Sequence, residues 1–558
     1  MIMKFLLFFL VLPITILAAS NFGDYLSSEE DILEALSHEE ISFTQYYDLI
    51  ELYRDKVNVF GDDLDRLLVI PGVDTRWIEA IENAAGKAGQ YSDLEIFLRW
   101  FPFDFDRISA FIVFERSKKG LIGGGIRIYS HNKYVEDYIP TSNFKFKGRY
   151  DRAKIDLSLV SDQYGFRVRR RKLQMGIFGG DLTLGSFYQG LGEGLIMGKE
   201  FHVPGALRRN SFEESFQTPQ DNLFNGARYY IDFDNISAGA ILSRAVYDSV
   251  AVNGFGSELL WSKIDNLEIG GVLAYGDLRV RKQSEIYNQI YGSLFARSDL
   301  ENTKINGEVG VGKAGSPGLM MELIHRREDI KALVEFWSYH EDFHPLHSKG
   351  ISDYREIDIE LDSVEFIHES RQAGETGASM KINLPLAEML SLDMDQSGFR
   401  TPANGDWAIN SSSGLYYRDG SDKRLRGEFS WEKRTLSTGV RLKETIRLNG
   451  NWPIGEFIET NSYFRFRWTT ADDDRTRSLS TYIEGLYKRF EPTVLRLRIK
   501  RMKSNMTDPD NGYWEMRFRD EIRTGPVLWI FEARYADYDK PDKESLLEFR
   551  TTAGYNVR

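Results

Sequence analysis

Apolar and polar residues take turns along most of this chain, and the alternation is plainest over residues 462–558. Phe464, Phe466 and Trp468 share one parity while Arg465 and Arg467 share the other. Leu495, Leu497 and Ile499 likewise oppose Arg496, Arg498 and Lys500, and Trp514, Met516 and Phe518 oppose Glu515, Arg517 and Arg519. A period of two puts such sets on opposite faces of an extended strand. A soluble sandwich also alternates, but it turns its charges into bulk water on short strands and does not keep aromatic-rich faces in line for roughly four hundred residues. A closed membrane barrel with an apolar outside and a charged lumen accounts for both features.

The same pattern, broken by turn residues, predicts strands over 144–147, 154–160, 175–184, 227–233, 236–246, 268–275, 331–339, 358–367, 380–384, 414–418, 425–431, 437–448, 481–490, 527–535 and 546–557. Tilted strands of about ten residues plus their turns make this a large antiparallel transmembrane β-barrel of roughly 18 to 24 strands, an even number, over residues 143–558. Residues 117–142 read as a transition, loosened by Gly120 and Gly123 to Gly125. In the last strand Phe549, Thr551, Ala553, Tyr555 and Val557 alternate as a closing strand should, but the last residue is Arg558 and not the terminal aromatic usual in outer-membrane barrels, for which Tyr555 would have to stand in.

Upstream of the barrel the period changes. From Asn21 to Arg116 apolar residues recur near every 3.6 positions, as in Leu49, Ile50 and Tyr53 and again in Leu64, Leu67, Leu68, Ile78 and Ile81, which predicts a small all-helical domain. Before it, Lys4 precedes the apolar run 5–17 and the small residues Ala18, Ala19 and Ser20, the layout of a secretory signal peptide over residues 1–20. The run is about a dozen residues long, short of the roughly twenty that a spanning helix needs.

Val57, Asn58, Val59, Leu64, Leu67 and the turn Ile70, Pro71, Gly72, Val73, Asp74, followed by Ile78 and Ile81, resemble the helix-hairpin-helix fold. Gly89 to Leu94 is similar to a linker into a second copy, whose hairpin Phe101, Pro102, Phe103, Asp104 lacks the glycine. Hairpins of this kind joined to a long glycine- and aromatic-rich strand region resemble a family of bacterial outer-membrane proteins, seen mainly in Bacteroidota and related diderms and named only for the hairpin domain. Gly180 with Asp181, and Gly192, Glu193, Gly194, Leu195, are similar to that family's Gly-Asp and Gly-Gln-Gly-Leu stretches, with Glu193 replacing the usual glutamine. The resemblance implies an outer-membrane barrel carrying its helical module in the periplasm, and leaves the cellular role open.

Charge sharpens the picture. The chain has 71 basic and 84 acidic residues, a net charge of −13. Residues 21–116 hold eight basic and twenty-one acidic residues, so the whole excess sits in the helical module and the remainder is nearly neutral. A tight Pro-Gly turn such as Pro71, Gly72, Val73, Asp74 can offer backbone N–H groups to a DNA phosphate. Non-specific nucleic-acid binding, however, depends on lysines and arginines that displace counterions, and this module is acidic. A packing or docking module for a periplasmic protein partner is the favoured expectation, and a DNA-binding component of DNA uptake is the alternative. In the barrel, Arg465, Arg467, Arg496 and Arg498, with Arg167 and Arg169, form basic ladders on the inner face, answered by acids such as Glu515 and Glu428. They either guide anionic solutes through a channel or cross-brace a filled lumen. Outer-membrane lipid surrounds the wall, since a charge facing lipid at mid-depth costs a few kcal/mol.

Candidate chemistry is sparse. There is no cysteine, which excludes disulfides and thiolate metal sites. His340, Glu341, Asp342, His344 and His347 crowd one loop, yet Pro345 marks an irregular turn and no metal site is expected there. Asp472, Asp473 and Asp474, and Asp508 to Gly512, have calcium-like oxygen content without calcium-loop spacing and read as hairpin turns. Gly190 to Gly194 lacks the strand-loop-helix context and the lysine of a nucleotide loop. No cofactor and no enzymatic activity are expected, although a lipase or protease on the outer wall would need one of His131, His202, His325 or His368.

Overall fold

The computed structural model describes short pieces of the chain between Leu26 and Phe114 and, from Ile122 to Tyr555, the strands and many of the turns between them. Residues 1–25, 129–141, 199–222, 349–373, 556–558 and shorter stretches lie outside the described residues, and with them the expected signal peptide and the expected strand over 358–367.

Period-two alternation becomes wall. Among the described residues twenty-four strands, from β3 (Ile122–Ile128) to β26 (Leu546–Tyr555), form one closed up-and-down barrel in which each strand pairs antiparallel with its neighbours in sequence. The ring is shut by β26 against β3 through one recorded pair, Tyr555 with Ile126. Closure leaves no hydrogen-bonding edge, which is the condition for strands to cross a bilayer. The transition expected over 117–142 is therefore partly wall, because β3 lies inside it and supplies half of the seam. The strand expected over 175–184 is a hairpin. Phe178 and Gly179 both take positive φ, the geometry of a two-residue turn between β6 (Gly165–Ile177) and β7 (Gly180–Phe187).

The parity read from the sequence holds. Leu497 and Ile499 are exposed on the outside while Arg498 and Lys500 are buried inside, and Trp514, Met516 and Phe518 stand outside while Glu515 and Arg517 are inside. On β12 (Ile286–Leu300) the outward Ile290 and Leu294 are 68% and 72% exposed, whereas the inward Tyr291 and Phe295 are buried. Leu294→Arg is expected to destabilise the barrel by about 2–4 kcal/mol, the cost of a cation facing lipid near mid-depth. Denaturant unfolding in liposomes measures it, and a midpoint equal to that of the unaltered protein would show that this face does not meet lipid.

The two ends of the ring differ. At one end the connections are short, such as Phe178–Gly179 and Asp234–Asn235. At the other, 188–223 joins β7 to β8 (Phe224–Phe233), and 340–375 joins β15 (Ile330–Tyr339) to β16 (Thr376–Ala387). The chain enters β3 and leaves β26 at the short-turn end.

The N-terminal region is not all-helical. Among the described residues it has a 3-10 helix (Leu64–Val69), α1 (Thr75–Ala88) and α2 (Asp106–Ser109), tied by a parallel pair, β1 (Val57–Asn58) with β2 (Ile112–Val113). In α1, Trp77, Ile78, Ile81, Ala84 and Ala85 fall on one face and are buried, as a 3.6 period requires. They pack with Phe97, Phe101 and Phe111, with Trp77 edge-on to Phe101 at 5.8 Å.

Candidate functional site in the barrel bore

Three structures occupy or line the bore: an inserted loop pair, a basic wall and the N-terminal module. The first begins where β7 ends. Tyr188 to Gly198 turns inward and lays Leu191, Leu195, Ile196 and Met197 against the inner wall, in one apolar cluster with Val272, Phe295, Met320 and Trp337. A second inward segment, Phe343 to Ser348, joins it: Gly198 N–H donates to His347 O at 2.8 Å, and the Ser348 hydroxyl donates to Gly194 O. Bare backbone makes room for both. Phe343 lies where a Cβ on Gly318 would be, and Met197 where a Cβ on Gly256 would be.

Folding a loop into a bore strands its N–H groups, and each buried donor without a partner costs about 1–3 kcal/mol. Two carboxylates from the wall meet them. Glu308 on β13 (Thr303–Val311) is fully buried; its Oε2 accepts from Glu193 N at 2.8 Å and Leu195 N at 3.0 Å, and its Oε1 from the Ser293 hydroxyl. Glu258 accepts from Gly192 N, while Arg297 donates to Glu193 and, at 2.8 Å, to Gly192 O. Gly192 at φ +61° and Gly194 at φ +85° hold the left-handed turns that aim these N–H groups at the wall. The glycine run that lacks the features of a nucleotide loop is therefore an anion cradle after all, filled by the protein's own glutamates. Glu258, Glu308 and Arg297 were not legible as site residues, since each is one polar position on an alternating strand.

Across the ring the inner face is basic. Register places Arg447 opposite Arg465, and Arg498 opposite Arg517, which in turn faces Arg534. Of the expected ladder, Arg465 and Arg467 are buried inward, Arg498 donates from Nη2 to Glu484 at 2.8 Å and stacks 4.3 Å from the Tyr482 ring, and Arg496 lies 3.4 Å from Glu521. Glu428 and Glu515 answer as expected, Glu428 within 3.5 Å of Arg447 and Glu515 within 2.7 Å of Arg534. Arg169 is the extra residue of a bulge in β6, and the side chains of Arg167 and Arg169 lie outside the described ones.

The third component is the module, which meets inward-facing side chains in two sectors of the ring and comes within electrostatic reach of a third. Asp65 accepts from Arg170 on β6, both buried. Phe101 O accepts from Lys331 Nζ on β15 at 3.0 Å, and Ile324 and Leu333 from β14 (Pro317–Arg327) and β15 belong to the module's own core. Lys56 lies within electrostatic reach of Arg496 on β23 (Thr493–Lys503) and Glu521 on β24 (Gly512–Thr524). Lys56 keeps solvent contact, yet partial burial, then Arg496, hold its ammonium below the usual lysine pKa against the opposing pull of Glu521. A fourth contact reaches deeper, from the Tyr188 hydroxyl to Glu82 at 2.7 Å. These sectors stand seven to nine strands apart, so the described module lies across the bore.

The hairpin residues fare differently. Pro71, Gly72 and Asp74 lie outside the described residues, while Val73 is buried and donates to Ile70 O at 3.0 Å, so its N–H is already used. The histidine loop splits: His340, Glu341 and Asp342 cluster at the surface, whereas His347 is buried with Nε2 3.1 Å from Asn253 O, and His344 lies outside the described residues. Asp508 accepts from Asp510 N–H at 3.0 Å, as a turn residue does. His325 sits 2.9 Å from the Thr303 hydroxyl, with no carboxylate recorded among the described residues to orient its other nitrogen; His131, His202 and His368 lie outside them.

No protein-family model and no curated protein matches the chain. Among solved structures it is similar to an E. coli P pilus tip assembly intermediate, PapC-PapD-PapK-PapG (TM-score 0.45, 10% identity, 78% of this chain and 60% of that one). It is also similar to the P pilus usher (PapC) translocation pore (0.36, 10%, 78% and 98%) and to the ferric-catecholate import receptor Fiu from E. coli K12 (0.40, 8%, 80% and 83%). Likeness this distant carries no function.

Proposed function

We propose that this chain is an outer-membrane barrel whose bore is closed by its own N-terminal module, and that solute is captured or passed when the module shifts. One observation carries the reading: the module is held from inside the ring in two sectors nine strands apart, through Arg170 and Lys331. An apolar outer belt and a closed ring suit a lipid bilayer, and short turns at the module's end suit the periplasmic side. The acidity that argues against a DNA ligand supplies Asp65, the carboxylate that Arg170 holds inside the ring. A docking surface for a periplasmic protein fits the same geometry, because whatever moves the module must reach it from that side.

Full-length protein in planar bilayers tests this. The unaltered chain is expected to conduct little, and the double variant Asp65→Ala, Lys331→Ala to raise mean conductance at least tenfold. Equal conductance, or an open pore in the unaltered chain, would sink the closed-bore reading.

A further inference from the structure

The strands that carry the basic ladder do more than brace each other, and we infer that their inner face binds small anions bearing carboxylate or phosphate groups, entering from the long-loop end. This rests on the bore being a solute path. On β23, β24 and β25 (Val527–Tyr538) the described inward side chains include Arg496, Arg498, Lys500, Arg517, Arg519 and Arg534 against Glu515, Glu521 and Glu532. Like charges directly opposite across strands are destabilising. Arg498, Arg517 and Arg534 nevertheless stand in one register row across three strands, and Arg447 faces Arg465 a few strands away. Wall acids offset part of that repulsion: Arg517 pairs with Glu532 at 3.2 Å and Arg534 with Glu515 at 2.7 Å. Glu484 answers Arg498 from the next strand, so six cations stand against four described acids, and an anion in the bore offsets the excess.

The guanidinium groups are also held in place before any ligand arrives. Arg498 is clamped by Glu484 through both Nε (2.9 Å) and Nη2 (2.8 Å) and lies on the Tyr482 ring, which itself stacks on Tyr463 at 5.3 Å. Planar forks fixed in this way suit carboxylate and phosphate oxygens and lose little entropy on binding. The low-dielectric wall behind them concentrates the positive potential in the bore. The inserted loops make the contrast: among the described residues, their apolar cluster and self-neutralised cradle cover the far side of the bore, where no equivalent row of opposed arginines is recorded.

Equilibrium dialysis of the full-length protein in neutral detergent, with inorganic phosphate, citrate and tetramethylammonium as probes, decides it. Phosphate or citrate is expected to bind at low salt, more weakly as sodium chloride rises, and tetramethylammonium not to bind. The relative affinity of the two anions assigns phosphate or carboxylate as the preferred group. Arg498→Gln with Arg517→Gln is expected to weaken binding at least tenfold while the heat-dependent gel mobility of a folded barrel persists, and Arg279→Gln, an exposed arginine on another sector, to leave it unchanged. Should the first pair fail to fold, Arg465→Gln with Arg467→Gln serves. No anion binding to the folded, unaltered protein, or equal binding of the cation, overturns the inference. Dialysis needs no movement of the module, so binding without conductance in the Asp65→Ala, Lys331→Ala protein would overturn the closure reading and leave this one standing.

Discussion

Replacing Glu308 by alanine is expected to release the inserted loop and to destabilise the folded barrel by about 2–5 kcal/mol. The carboxylate accepts three hydrogen bonds, from Glu193 N, Leu195 N and the Ser293 hydroxyl, in a site with no exposure to water. Stranding three buried donors at about 1–3 kcal/mol each sets the upper range, and relief from burying a carboxylate lowers the total. Glu308→Gln keeps the volume and one accepting oxygen but turns an N–H₂ toward its donors, so an intermediate loss is expected. The temperature at which the folded gel band converts to the unfolded one measures stability, and limited proteolysis between Tyr188 and Gly198 measures loop release. A Glu308→Ala protein with unchanged transition temperature and a protected loop would show that the cradle does not hold the insert.

Gly256→Val is expected to release the same segment, by steric means. The backbone of β10 (Val250–Ile264) is bare at Gly256, and the space a side chain would take is filled by Met197, with Leu191 close behind. Met197 belongs to the buried cluster with Leu195, Ile196 and Trp337, so it cannot withdraw alone. Overpacking of a filled core costs typically 1–3 kcal/mol, and here the cheaper escape is for the whole segment to leave the wall. Loss of the Leu191–Met197 and Met197–His347 bridges would follow, exposing both inserted segments. Gly485, which has open space around it on β22 (Asp474–Tyr487), is the control: Gly485→Ala is expected to change proteolysis little. Equal protection of residues 188–198 in both variants would contradict the packing described.

How much of this could be read from the chain depends on whether an interaction is local. Alternation is local, because successive residues on a strand face opposite ways, so the wall, its parity and the inward placement of Arg465, Arg467 and Arg498 were legible. Strand number was bracketed because length divided by strand and turn is arithmetic. The hairpin within 175–184 was missed because Phe178 is an uncommon residue for a positive φ, and the strand at Ile122–Ile128 because its glycines read as a loosened connection. Non-local contacts stayed hidden. Asp65 meets Arg170 from 105 residues away and Glu308 meets Leu195 from 113, and no spacing rule links such positions. The acidity of the module was plain in the composition, but its counterpart could not be found until the ring had been closed around it.

The seam joins residues 126 and 555, nearly the whole length of the wall apart, whereas β20 (Gly439–Ile454) and β21 (Ile458–Ala471), paired from Arg441 to Ile454, are separated by one short turn. Bringing such distant ends together costs roughly 5 kcal/mol of chain entropy if it happens before the hairpins between them form. The staves of this cask are therefore hooped last at the join between the first and the final one. The acidic module is tethered directly ahead of the first stave, so whatever moves the module also pulls on that join.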